Sequence, residues 1–320
     1  MDGWVDGVLN VLKPPGMTSH DVVSYARRVT RIKRVGHTGT LDPGAAGVLP
    51  LCLGRATRIA EYLTAFGKAY RVEAVFGIST STDDSSGEVT GKGDASAIGE
   101  ARLRAALEAF RGEITQMAPA LSAKKHHGVR SYDIVRAGGE PERKTVRVRI
   151  HEISLIRFVP GSRCAAVFDV MCSSGTYVRT LCSDIGRHLG VGGYMSFLLR
   201  TAAGGFGIEG SLTLEELAEA ASAGWLGEVV TSMSAALRFM RGFTLHEKAF
   251  ERLSHGHAPG EEDVTGEAAP AATPGGAAYA DECQLVRLLG PSGQLGAVAR
   301  LDCADRGRRR FLLEKVISGV

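Results

Sequence analysis

The sequence predicts an α+β fold, a mixed and mainly antiparallel sheet flanked by helices, followed by a small β unit after about residue 243. Three observations carry this prediction. Strand-like runs and capped or amphipathic helical runs both recur through the first 223 residues. Thr145–Phe158 alternates basic residues with Val146, Val148 and Ile150, the pattern of a sheet with one face packed and one charged. Past Phe243 the texture changes to short apolar runs separated by glycine turns.

In chain order, Val8–Leu12 is a short apolar strand leading to Lys13-Pro14-Pro15-Gly16, a turn that cannot continue as helix across two prolines. Thr18 and Asp21 form a capping-box pair that opens a helix through about Val29. Val48–Leu53 reads as a buried strand, and Ala56–Phe66 carries Ile59, Tyr62, Leu63 and Phe66 at helical spacing before Gly67 stops it. Ala69–Ile78 is a strand with Tyr70 at its start, and Ser79–Gly93 is a polar loop. Asp83 and Asp84 lie in that loop with no third ligand near them in sequence, so a solvated turn is favoured over a metal site. Ala97–Phe110 is an amphipathic helix through Ile98, Leu103, Leu107 and Phe110.

Arg163–Cys172 is the next strand, and Gly175-Thr176 leads into a helix from about Tyr177 to Leu189 that Gly190 stops. Arg179 falls in the first turn of this helix, where the macrodipole disfavours a cation. Either a nearby anion or a surface i,i+4 contact accounts for that placement. Thr213 and Glu216 make a second capping box for Leu214–Ala223, and a short helix follows at Glu247–Leu253. Pro259–Ala278 is too rich in Gly, Ala and Pro to bury surface and is expected to be a disordered insertion. Gln284–Leu289, Leu295–Leu301 and Phe311–Val316 are strand candidates of the small β unit.

The 320 residues suffice for one large domain and a small one, divided as 1–242 and 243–320, and 44% apolar residues can fill a substantial core. A net charge of +3 is too small to announce a nucleic-acid partner, so the distribution of charge carries that argument. Arg27, Arg28, Arg31, Lys33 and Arg34 form one basic group, Lys124, Lys125 and Arg130 a second, and Arg143, Lys144, Arg147 and Arg149 a third. Each alone is compatible with a solvated face. The six cysteines show no C-x-x-C and no zinc spacing, and read as reduced thiols. MDGWVDGVLN is acidic and lacks an apolar h-region, and no run of 18 apolar residues occurs. A soluble, cytoplasmic protein without membrane contact is expected.

Gly36–Arg55, GHTGTLDPGAAGVLPLCLGR, holds the most suggestive chemistry. Pro43 fixes its own φ and pushes Asp42 out of the α region, and Gly44 is free to take positive φ, so Asp42 is presented on a turn. Asp42 is the only full charge between Gly36 and Leu53. A lone carboxylate beside apolar residues can be a nucleophile or base, or an Asx turn that bonds its own backbone.

This segment resembles the catalytic signature of the TruB-type tRNA pseudouridine synthases, and five further segments resemble that family in the same order. They are NVLKPPGMTSHDVV at Asn10–Val23, KAYRVEAVFGISTSTDDSSG at Lys68–Gly87, APALSAKKHHGVRSYDIVRAG at Ala118–Gly138, CSSGTYVRTLCSDIG at Cys172–Gly186 and LLRTAAGGF at Leu198–Phe206. The resemblance spans most of the first 210 residues and implies the pseudouridine synthase fold. The layout of the C-terminal unit resembles the RNA-binding PUA domain, with Arg306, Arg308, Arg309 and Arg310 near its last strand.

The implied reaction isomerises uridine 55 in the T loop of tRNA: the N1–C1′ bond breaks, the uracil turns, C5 joins C1′ and the C5 proton is lost. No redox change, metal or other cofactor is required by that chemistry. The resemblance makes Asp42 the catalytic carboxylate, by attack at C1′, addition at C6 or removal of the C2′ proton, among which the sequence does not choose. It makes Arg179 the partner that holds Asp42, Tyr70 the ring that stacks on the target base and can take the C5 proton, and Leu198 a wall of the pocket. A uridine stacked in a folded loop must be flipped out, and His37 matches the histidine that fills the vacated space. Lys13, Lys124 and Lys125 complete the expected substrate-binding set, with the tRNA T stem-loop as partner and no obligate protein partner. Ser81 stands where the family commonly has aspartate and Leu199 where arginine often stands, departures that touch affinity rather than Asp42, Tyr70 or Arg179. The competing readings are an RNA-binding protein or tRNA-folding chaperone without catalysis, and a synthase acting on another RNA.

Overall fold

The apolar runs Gly7–Lys13 and Ala46–Leu53 are buried along almost their whole lengths, because each lies inside a large sheet with structure on both of its faces. A computed structural model of the chain describes residues 6–119, 125–126, 129–130, 144–271, 284–302 and 309–317. Its first fourteen strands are β1 (Gly7–Lys13), β2 (Val35–His37), β3 (Ala46–Leu53), β4 (Lys68–Phe76), β5 (Ile78–Thr80), β6 (Val89–Lys92), β7 (Gly112–Met117), β8 (Lys125–His126), β9 (Val129–Arg130), β10 (Thr145–Val159), β11 (Cys164–Cys172), β12 (Gly193–Ala203), β13 (Phe206–Gly207) and β14 (Val230–Thr231). Ten of them form one sheet, in the order β14-β1-β3-β12-β4-β11-β10-β7, with β2 paired to β3 and β13 to β12. Among the described residues, β3 and β12 are the one parallel pair of this sheet, joined through Leu199–Ala46 and Arg200–Gly47. The fold is thus the mixed, mainly antiparallel α+β arrangement that the sequence predicts.

Alternation along the strands decides what covers each face. Val72, Ala74 and Phe76 of β4 and Phe168 and Val170 of β11 pack with Leu103, Leu107, Leu181 and Ile185 from helices Glu100–Glu108 and Val178–His188. Leu9, Leu49, Leu51 and Leu53 pack against Val22, Ala26 and Leu217 from helices Ser19–Thr30 and Leu214–Ala223. On the other face Val8, Val48 and Cys52 meet Ile59, Leu63, Phe66 and Phe239, together with Leu285, Leu289, Leu295 and Val298 of the C-terminal unit. Each fully buried side chain of this size contributes about 1.5–3 kcal/mol. On β10, Arg147 and Arg149 stay exposed while Val148 and Ile150 are buried, which is the expected division of faces.

The C-terminal unit is a five-stranded sheet of β15 (Arg241–Leu245), β16 (Val264–Ala268), β17 (Leu285–Leu289), β18 (Leu295–Asp302) and β19 (Arg310–Val316), in the order β16-β15-β17-β18-β19. β15 begins at Arg241, slightly before the expected division after residue 242. Lys315 of β19 reaches the helical segment after β3, by an ion pair with Glu61 and a hydrogen bond to the Arg58 carbonyl at 3.1 Å.

Three local expectations are corrected. Ser79–Gly93 is not a simple loop, because β5 and β6 pair as an antiparallel ribbon and the Glu88 amide donates to Ser81 Oγ. Residues 54–59 form a 3-10 turn and the α-helix covers only Ala60–Thr64, though Ile59, Tyr62 and Leu63 still point inward. The front of the expected insertion is ordered: Glu261–Asp263 is a 3-10 turn and β16 pairs with β15. Backbone pairing there compensates for the poor apolar content. Residues 272–278 of that segment lie outside the described residues, as do Lys124, Arg306 and Arg308. Arg309, by contrast, is engaged with Glu267 at 2.7 Å.

Candidate active site

Asp42 sits where β2 and β3 diverge and the chain makes a turn closed by the Ala45 amide on the Asp42 carbonyl at 3.1 Å. Pro43 takes the first central position, as its fixed φ favours. Gly44 does not use the left-handed region that its lack of a Cβ makes available. The turn is held from three sides. Ser19, first residue of its helix, donates through Oγ to the Leu41 carbonyl at 3.1 Å and accepts from the Leu41 amide at 2.8 Å. Lys13 is fully buried, and Nζ donates to the carbonyls of Pro14, Pro43 and Ala45 at 2.9, 3.3 and 2.6 Å. Arg200 donates to Val48, Thr40 and Gly39 carbonyls at 2.6, 3.4 and 3.0 Å.

Among the described residues the Asp42 carboxylate meets Arg179 rather than its own backbone: Nε of Arg179 stands 3.0 Å from Oδ2. Arg179 also lies 3.6 Å from Asp84 through Nη1, which donates to the Thr82 carbonyl at 3.3 Å. Two carboxylates and a carbonyl therefore answer the electrostatic conflict of a cation in the first turn of the Val178–His188 helix. Asp84 is not a solvated turn residue. It accepts from Thr82 Oγ1 at 2.6 Å and from the Ser86 amide at 2.9 Å, which rigidifies it beneath Arg179. Gln116 fixes the start of the same helix, accepting from the Tyr177 amide at 3.0 Å and donating to its carbonyl at 3.2 Å.

Tyr70 of β4 and Leu198 of β12 belong to the same buried cluster as Leu41 and Ala45, the residues bordering the Asp42 turn. Burial pushes the Tyr70 phenol up to about 12, against a smaller opposing pull from Arg200, so the hydroxyl is protonated at neutral pH. His37, at the end of β2, is half-buried and accepts from the Gly39 amide through Nδ1 at 3.2 Å, which places the proton of a neutral ring on Nε2. Burial, then Arg200 and His20, hold its pKa below the usual value. Burial likewise lowers Lys13 to about 8 and Lys68 to about 8, the latter donating to the Thr64 and Phe66 carbonyls at 2.9 and 2.6 Å.

The structure thus brings Asp42, Arg179, Tyr70, Leu198, Lys13 and His37 into one region. Lys125 lies in β8, which pairs with β9 as a separate two-stranded ribbon, and Lys124 falls outside the described residues. Arg200, Ser19 and Gln116 are not singled out by the sequence, and Asp84 reads there only as a solvated turn residue. The only signal for Arg200 is its place in a segment that resembles the family, beside the departure at Leu199, which here lies in the β12–β3 pairing.

Comparison with known proteins identifies the family of the chain. The family model described as TruB family pseudouridylate synthase (N terminal domain) matches residues 27–178, and that for the tRNA pseudouridylate synthase B C-terminal domain matches residues 179–238. The tRNA pseudouridine synthase B of Symbiobacterium thermophilum is 50% identical over 255 residues, 80% of this chain and 83% of that protein. That of Pelotomaculum thermopropionicum is 43% identical over 319 residues, 98% of this chain and 95% of that protein. Among solved structures, the archaeal box H/ACA sRNP Nop10–Cbf5 complex gives a TM-score of 0.72 at 25% identity, covering 98% of this chain and 86% of that one. The Cbf5–Nop10–Gar1 complex gives 0.74 at 25% identity, covering 98% and 85%. With two family models in register and a relative 43% identical over 98% of this chain, the protein belongs to the TruB family of pseudouridylate synthases.

Proposed function

We propose that this synthase converts uridine 55 in the T loop of tRNA to pseudouridine, with Asp42 as the carboxylate that starts the reaction on a flipped-out base. The observation that carries the reading is the Arg179–Asp42 ion pair, in which the arginine is nearly covered and the carboxylate remains 45% exposed. A cation fixed in the fold thereby aims a carboxylate at the open side of the site. Arg179 and Asp84 orient Asp42, and Lys13 and Ser19 hold its turn. Tyr70 lies against the uracil face. Its high pKa favours stacking over proton removal by a resident phenolate. Leu198 walls the pocket, and the neutral His37 ring occupies the gap left by the flipped base. Lys124, Lys125 and the exposed Arg147 and Arg149 contact phosphates, so affinity falls steeply with salt. The small C-terminal sheet acts as a PUA-like RNA-binding unit beside a catalytic region of about residues 1–242. The enzyme works in the cytoplasm; among the described residues no helix is long and apolar enough to cross a membrane.

In the reaction the N1–C1′ bond is broken, C5 bonds to C1′, and the C5 proton leaves while N1 gains one. Tritium release from a T-loop RNA labelled at uridine C5 tests this directly. Release by the wild type and none by Asp42→Asn is the expected result. Absence of release by the wild type with RNA binding intact overturns the assignment to this uridine.

A further inference from the structure

The Asp42 turn leaves the sheet and returns to it beside one residue, Arg200. Its side chain is only 1% exposed, and among the described residues no carboxylate pairs with it. Burying a lone cation is expensive, and for stability alone an apolar side chain of similar size would serve better. What the guanidinium gains instead is a fork of fixed donors. Nη1 and Nη2 reach the Thr40 and Gly39 carbonyls before Asp42, and Nε reaches the Val48 carbonyl after it. Arg200 is also the cross-strand partner of Tyr70 in the β12–β4 ladder, which sets the two residues side by side on neighbouring strands. The two strands that meet here cannot drift apart or slip readily, because Gly47 of β3 packs directly on the Arg200 backbone.

We infer that Arg200 is a positioning residue for the isomerisation: it locks both ends of the Asp42 turn and the Tyr70 ring into one geometry without itself touching the RNA. The inference rests on the reading of Asp42 and Tyr70 given above. The chain holds the carboxylate from the turn backbone through Arg200 and from its side chain through Arg179, so the two arginines control different degrees of freedom. A lysine at residue 200 cannot replace this function. Its donors radiate from one nitrogen and do not span carbonyls on both sides of the turn.

The test uses the full chain as Arg200→Lys, Tyr70→Phe and the double variant, with Asp42→Asn as control. Single-turnover rates at saturating enzyme are compared with tRNA affinity from filter binding. Arg200→Lys should react about 100-fold more slowly, as expected for a misplaced reacting group, while affinity changes only about three-fold. The Tyr70→Phe effect should be smaller in the Arg200→Lys background than in the wild type, since contacting residues couple non-additively. A wild-type rate in Arg200→Lys, a loss confined to affinity, or strict additivity with Tyr70→Phe overturns the inference. Wild-type turnover by Asp42→Asn instead rejects the catalytic reading, whatever Arg200 does. Should Arg200→Lys fail to fold, the Arg200 Nε–H resonance in wild type and Tyr70→Phe decides: a shift supports the coupling, and an unmoved signal overturns it.

Discussion

Arg179 Nε lies 3.0 Å from Asp42 Oδ2, and the two side chains are unequally covered, 10% against 45% exposed. The cation belongs to the fold and the anion faces outward. Removing the anion should therefore abolish chemistry and leave the surface that binds RNA largely intact. Asp42→Asn is expected to release no tritium while its tRNA affinity stays within a few-fold. Normal turnover in this variant would sink the assignment of Asp42.

Removing the cation acts on orientation. Without Arg179 the half-exposed carboxylate loses its fixed orientation, so Arg179→Ala should slow single turnover by about 100-fold or more, as expected for a misplaced reacting group. An unchanged rate would mean that Asp42 is held by something else.

Asp84 supports Arg179 from the far side at 3.6 Å, a longer contact than the one to Asp42. Asp84→Asn keeps much of the turn's hydrogen bonding and removes only the charge. A smaller loss, about ten-fold, is expected, consistent with roughly 1.4 kcal/mol. A loss equal to that of Arg179→Ala would assign Asp84 a more direct part.

Lys13 gives the site a pH dependence. Protonated, it has three donors for three carbonyls; neutral, it has two. Burial lowers its pKa from the ordinary 10.5 to about 8, so one of these three bonds is lost as pH rises through about 8. Between about 8 and 10.5 the unfolded chain binds more protons at this group than the folded one, and linkage makes its contribution to stability rise with pH. An alkaline fall in rate without a fall in melting temperature is the expected signature. The limb should vanish in Lys13→Arg and persist in Lys68→Arg; persistence in both would exclude Lys13 as its source.

Gly47 takes φ +118°, and a Cβ there would stand 2.2 Å from the Arg200 carbonyl oxygen. Gly47→Ala should lose about 3 kcal/mol or fail to fold, because left-handed strain and a backbone clash coincide. Urea unfolding measures this. Wild-type stability would show that β3 and β12 can separate at low cost.

Local physics was legible in the chain. The capping boxes Thr18/Asp21 and Thr213/Glu216 are both present, since a cap needs only residues three apart. The Asp42 turn depends on Pro43 next to it, and the oddity of Arg179 depends on its own helix. The β5–β6 ribbon and the pairing of β16 were missed because polar strands have no apolar alternation and draw their stability from a neighbouring backbone.

The sequence by itself determined the capped helices and the apolar strands, the turn that carries Asp42, and, through ordered motifs, the family. Tertiary structure alone decided how that turn is held. Lys13 reads as the edge of a proline turn, Asp84 as a solvated acid, and Arg200 as one basic residue among many. Their roles come from carbonyls and charges brought close by the sheet: Arg200 bonds residues more than 150 positions away. A buried cation is tolerable only where the fold supplies such partners, and no local pattern encodes which distant carbonyls those will be.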